Sequence, residues 1–117
     1  MSLCSDIEYF FKELFAVKFP EKKVNFGYFQ RFDMVIEYLI TEGFEIKKIQ
    51  TEINKLSECF QTRHICTHNM GYIDERFKSK VNTSLNIGDK FQIDQEIYKS
   101  YFYSYQVFME LMDDWLS

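Results

Sequence analysis

Four stretches of the chain repeat apolar residues at helical spacing, and one long stretch before the last of them does not. Ile7, Phe10, Phe11, Leu14 and Phe15 follow the i, i+3, i+4, i+7 pattern of a single stripe and predict a helix from about Ser5 to Val17. Ser5-Asp6-Ile7-Glu8 fits a capping box, and Pro20 lies beyond the far end, where it breaks nothing. Phe29, Phe32, Val35, Ile36, Leu39 and Ile40 form a second stripe, with Asn25 as its N-cap and Gly43 as a left-handed C-cap. Ile46, Ile49, Ile53, Leu56 and Phe60, alternately three and four apart, form a third that suits packing along one seam.

Between Asn69 and Gln92 the periodicity disappears. Gly71, Asn82, Asn86 and Gly88 punctuate the stretch, and Asn86-Ile87-Gly88-Asp89 has the form of a tight turn. Loops of this length are uncommon and often functional. Phe91-Gln92-Ile93 reads as a short extended piece, after which Asp94 caps a last helix reaching about Leu116. Ile97, Tyr101, Tyr105, Phe108, Met112 and Trp115 make one apolar row on it, and Tyr98, Phe102, Met109 and Leu116 widen it round the side. A helix apolar over so wide an arc expects more than one neighbour. The pattern predicts an all-α fold, a four-helix bundle with a loop excursion before the last helix, in one domain over residues 1–117.

Composition sharpens this. Hydrophobic residues make up 46% and aromatics 19%, far from a disordered chain. Thirteen Phe and eight Tyr exceed what so small a bundle needs, so part of that surface is expected to close against a second copy. A net charge of −4 argues against nonspecific gripping of long duplex nucleic acid, though not against an enzyme holding a few nucleotides in a local cationic pocket. Cys4, Cys59 and Cys66 are odd in number with no CxxC, which reads as reduced thiols in a cytoplasmic protein. No apolar run approaches the ~18 residues of a membrane span, and the start lacks a signal-peptide pattern, so no membrane partner is expected.

The informative stretch is Arg63-His64-Ile65-Cys66-Thr67-His68-Asn69. Continued beyond Phe60, the third seam turns polar at Arg63, His64, Thr67 and His68. At about 100° per residue, Arg63 lies about 60° to one side of Phe60, and His64 and His68 about 40° and 80° to the other. Arg63 and His68 therefore flank the seam and serve one pocket only if it is a cleft along it, within one chain or shared with a second subunit. The plainer reading has the Arg and both His capping carbonyls and complementing the helix dipole. A metal site is the third reading, since His64 and His68 are i, i+4. Cys66, however, points roughly 160–200° away from both, and no acidic residue completes a set unless Asp74 or Glu75 folds back.

"TRHICTHNMGYIDERF" and the later "SLNIGDKFQID" resemble runs of bacterial proteins of the HEPN superfamily, whose motif is Arg-x4-6-His near the end of a core bundle helix. Arg63, His68, Asn69, Gly71, Ile73, Glu75 and Gly88 are the matching residues, and the resemblance covers roughly residues 45–116. Its specificity comes from the added His-Asn-x-Gly, because Arg-x4-His alone recurs by chance. One departure is Met70, where HEPN toxins paired with nucleotidyltransferase antitoxins carry a tyrosine; Tyr72 is two residues too late.

The resemblance implies a metal-independent endoribonuclease of toxin or antiviral-defence type, with no cofactor and with RNA, single-stranded or in a loop, as substrate. It also implies a homodimer with paired Arg and His in one cleft, and a cognate antitoxin or regulatory protein as a further partner. The residue types suit the task. The ribose 2′-OH attacks its own phosphodiester, leaving a 2′,3′-cyclic phosphate, which restricts cleavage to RNA. His68 would move the proton, and Arg63 would hold the phosphorane oxygens with its planar fork. Asn69 would orient His68 or contact phosphate; His64 would be a second proton carrier, a phosphate contact or a helix-end cap. The alternative is a non-catalytic HEPN module that uses the same residues to bind RNA, nucleotide or a partner protein.

Overall fold

The computed structural model describes residues 2–117, and the chain divides into two units, Met1–Phe44 and Glu45–Ser117. Both are helical. Among the described residues no strand forms, and one isolated antiparallel bridge joins Tyr72 to Lys90. No helix among them is long and apolar enough to cross a membrane.

The first unit holds α1 (Ser2–Lys18), a 3-10 turn at Tyr28–Gln30 and α2 (Phe32–Thr41). Buried Leu3 and Cys4 extend the stripe of Ile7, Phe11, Leu14 and Phe15 one turn backwards. The helix therefore starts before Ser5, and Ser5 and Glu8 sit inside it rather than capping it. Nor does Asn25 cap α2: its carbonyl accepts from the Tyr28 N–H in a turn, and α2 starts only at Phe32. The end of α2 is as expected. Gly43, at φ 103°, lets its own N–H reach the Ile40 carbonyl and the Phe44 N–H reach that of Leu39, the two bonds of a Schellman cap.

Much of the aromatic excess is spent inside this unit. Phe19, Tyr28, Phe29 and Tyr38 surround the Phe15 ring with centroids 5.1–6.0 Å away or, for Phe19 and Tyr38, pair with each other as well. Phe11 stacks on Phe32. Such pairs add to the burial of their own area.

The second unit contains α3 (Gln50–His68), α4 (Glu75–Lys80) and α5 (Gln95–Leu116), with a 3-10 turn at Lys47–Ile49 leading in. The Asp94 carboxylate accepts from the Ile97 N–H at 2.8 Å, which fixes the start of α5. On α5 the buried row is Tyr101, Ser104, Phe108 and Met112, with Ser104 taking the place expected for half-buried Tyr105. Helices α3 and α5 pack on one another around a polar key. The Tyr101 hydroxyl donates to Glu58 Oε2 at 2.6 Å and lies 3.2 Å from Thr62 Oγ1. Burial, and then the Glu58 hydrogen bond, raise the phenol's pKa well above its ordinary value, so it stays a donor.

Two short elements lie inside the stretch without periodicity. Asn86–Asp89 is the expected turn: Asp89 N–H donates to the Asn86 carbonyl at 3.0 Å and Gly88 is left-handed. The Ile73 N–H to Asp89 and Phe91 N–H to Gly71 bonds then pair this return with residues 71–73, so the extended piece falls one or two residues earlier than 91–93. The other element, α4, is a six-residue helix, fewer than two turns, and too short to show a period.

Candidate functional site

The site is built where α3 ends. Met70 and Gly71 both take left-handed backbone, φ 56° and 86°, which is uncommon for a residue with a side chain such as Met70. The turn is braced from inside the chain. The Ile65 carbonyl accepts from the N–H groups of both Asn69 and Gly71, at 2.8 and 2.9 Å, and Asn69 Nδ2 donates to the Tyr72 carbonyl at 2.7 Å. The Asn69 amide thus holds the reversal through its Nδ2.

Beyond the turn, Asp74 Oδ1 accepts from the Phe77 N–H at 2.8 Å and starts α4. Phe77 is fully buried in a cluster with Ile65 of α3, Ile73 and Val81, with Leu85 and Phe91 packed on it. Clamped this way, α4 turns Arg76 toward α3. Its Nε–H donates to Oε1 of buried Gln61 at 3.3 Å, and its Nη1 lies 3.4 Å from His64 Nε2. The ring centroids of His64 and His68 are 4.7 Å apart with planes at 49°. Arg63 lies the other way, with its guanidinium carbon 5.3 Å from the centre of the Phe60 ring.

The structure therefore brings His64 and His68 together and adds Arg76, which the pattern along the chain did not single out. On α3, Arg63 and His68 stand about 140° apart round the axis. The seam also differs from expectation. It is buried through Phe60, but Thr67 and His68 beyond it are exposed, and the burial passes to Gln61, Thr62 and Ile65. Two neighbours pull it round: Tyr101 of α5 meets Thr62, and the Phe77 cluster takes Ile65. The last turn of α3 is left with an open face carrying both histidines.

Charge and solvation separate the two rings. An arginine can only donate, so the contact with Arg76 makes His64 Nε2 the acceptor and places the single proton of the neutral ring on Nδ1. Partial burial, then the positive Arg76 and then His68, lower the His64 pKa below its ordinary 6.5, against a smaller opposite pull from Asp74. His64 is thus neutral at pH 7. His68 is exposed beside it.

A metal finds little here. The Asp74 carboxylate is committed to the α4 cap, and Cys66 lines a different cleft with Met70, Gly71, Lys90 and Phe91. Among the described residues no three His, Cys, Asp or Glu side chains gather as ligands. Arg76 could have been found from one signal, Asp74 three residues before Phe77, a cap followed by a single anchoring ring. Comparison of the chain with protein-family models, with curated proteins and with solved structures gives no match.

Proposed function

We propose that the chain is a metal-independent endoribonuclease of HEPN type, a four-helix bundle in which Arg63 and His68 work at a cleft between two copies. The observation that carries this reading is the gathering of His64 and His68 at the open end of α3 with Arg76 of α4, and Arg63 directly before His64 on α3. Imidazoles beside cationic, donor-rich guanidinium groups can pass a proton and hold a phosphorane without a metal. His68 transfers the proton, Arg63 stabilises the charge, and His64 supports them. The substrate is RNA, single-stranded or in a loop, and a cognate antitoxin or regulatory protein is the expected further partner.

The test is cleavage of an unstructured RNA with and without EDTA. Cleavage at an equal rate in both, ending in 2′,3′-cyclic phosphate, is expected. Activity abolished by the chelator and restored by magnesium or zinc would overturn the mechanism.

A second copy is part of the proposal, because about 140° separates Arg63 from His68 on one helix and a single chain does not aim both at one phosphate. Tyr98, Phe102 and Tyr103 leave an aromatic face of α5 exposed at 44, 43 and 60%, area that a partner would cover. Light scattering at micromolar concentration should give about twice the 14.2 kDa chain mass. A monomer at that concentration would instead favour the alternative reading, a non-catalytic HEPN module that binds RNA, nucleotide or protein through the same residues; the Arg63–His68 separation within one chain is the observation on its side.

A further inference from the structure

Arg76 has no part in the Arg-x4-His motif, yet the fold places it with care. Its helix is six residues long and could not stand alone; the Asp74 cap and the buried Phe77 hold it. The guanidinium carries five N–H donors. One reaches Gln61 and one reaches His64, at 3.3 and 3.4 Å, both long, and the side chain remains solvent-exposed. The remaining donors lie on the terminal nitrogens, in the planar fork that matches two oxygens of a phosphate. Beside it, His64 turns its Nε2 to Arg76 and steadies the guanidinium. His68 extends the surface by one ring, 4.7 Å on.

Among the described residues no carboxylate forms an ion pair with Arg76. Asp74, whose charge reaches His64, has its Oδ1 tied to the Phe77 N–H. In a chain of net charge −4, a local surface of donors without a paired carboxylate is suited to an anion brought by a ligand.

We propose that Arg76 is a backbone-phosphate site that holds an RNA strand beside the reacting ribose of His68. The proposal deepens the ribonuclease reading and rests on it for the identity of the strand. Arg76 contacts a non-bridging oxygen pair; no bond forms or breaks there. Its contribution is register, setting which ribose lies against the proton-transfer ring.

The test uses the full chain and a 2′-O-methyl RNA of about 12 nucleotides, within the span of ordinary single-strand sites and unable to cleave because the attacking hydroxyl is blocked. Fluorescence anisotropy measures its affinity across a salt series for the parent, Arg76→Gln and Arg76→Lys, with circular dichroism to confirm that each is folded. Loss of one charge-assisted contact should weaken Arg76→Gln about tenfold. The slope of log affinity against log salt should flatten by about 0.7, the increment for one phosphate on a single strand. Arg76→Lys should keep the parent's slope while losing part of the affinity. That pattern separates phosphate contact from mere support of His64, which would leave the slope unchanged. An Arg76→Gln protein with the parent's affinity and slope overturns the proposal, and so does a parent protein that fails to bind the strand at low salt. Should binding depend on Arg76 while the unmodified RNA stays uncut, this site stands and the ribonuclease reading falls.

Discussion

His68→Ala should lower the rate of RNA cleavage on the order of 10²–10⁴-fold, the usual range for a group that moves a proton in the transition state. The ring is exposed on the open last turn of α3, and the neighbouring His64 is held neutral with Nε2 occupied by Arg76. A neutral His64 can hand over its Nδ1 proton only weakly and cannot take the place of His68 without breaking that contact. Arg63→Lys should also be severe, since lysine keeps the charge and loses the bidentate fork. His64→Ala should cost less, because that ring serves binding more than proton transfer. None of the three changes removes a residue of the buried stripe, although Arg63 lies over the Phe60 ring, so circular dichroism should show parent-like helix content in each. A His68→Ala protein that is folded and as active as its parent would show that the activity belongs elsewhere, and the binding-module reading would become the better one.

How much of this was legible along the chain depended on length and on locality. The three long helices carry stripes several turns deep, and their burial follows them: Ile7 and Phe11 on α1, Ile53 and Leu56 on α3, Phe108 and Met112 on α5. Caps that act within six residues were legible too, as at Gly43 and Asp94. Starts were harder, because an apolar pair just upstream outweighs a good capping residue. Leu3 and Cys4 carry α1 past Ser5, and the aromatic cluster around Phe15 uses residues 28 and 29 for packing while α2 waits until Phe32. The short helix α4 left no periodic trace at all.

The site was legible in part for the same reason. Residues on one helix, such as His64 and His68, can be placed from spacing alone. Arg76 comes to them across a reversal set by Met70 and Gly71, a bridge at Tyr72 and the burial of Phe77, none of which is a local pattern. The same reversal explains where the Asn69 Nδ2 goes: a turn with two left-handed residues needs its own brace, and the nearest amide supplies it.

Phe77→Ala should destabilise the second unit by about 3–5 kcal/mol, the range for removing a fully buried phenylalanine ring. The ring is 0% exposed, pairs with Phe91 at 5.3 Å, and sits among Ile65, Ile73 and Val81. Nothing nearby can fill the space cheaply, because Ile65 is fixed in α3 and Ile73 is fixed by its N–H bond to Asp89. A six-residue helix without its anchor is unstable in water, so α4 should fray first. Arg76 would then leave Gln61 and His64, and the His64 pKa would rise toward its ordinary value as both the burial and the nearby charge are lost. The experiment is urea unfolding followed by circular dichroism, with hydrogen exchange of the 75–80 amides and an NMR titration of His64. The expected result is a lower unfolding midpoint, loss of protection in α4 ahead of α3, and a His64 midpoint moved upward. A variant within about 1 kcal/mol of the parent, below the range for deleting a packed core ring, would mean that the cluster around Phe77 does not hold α4. The placement of Arg76 beside His64 would then need another cause.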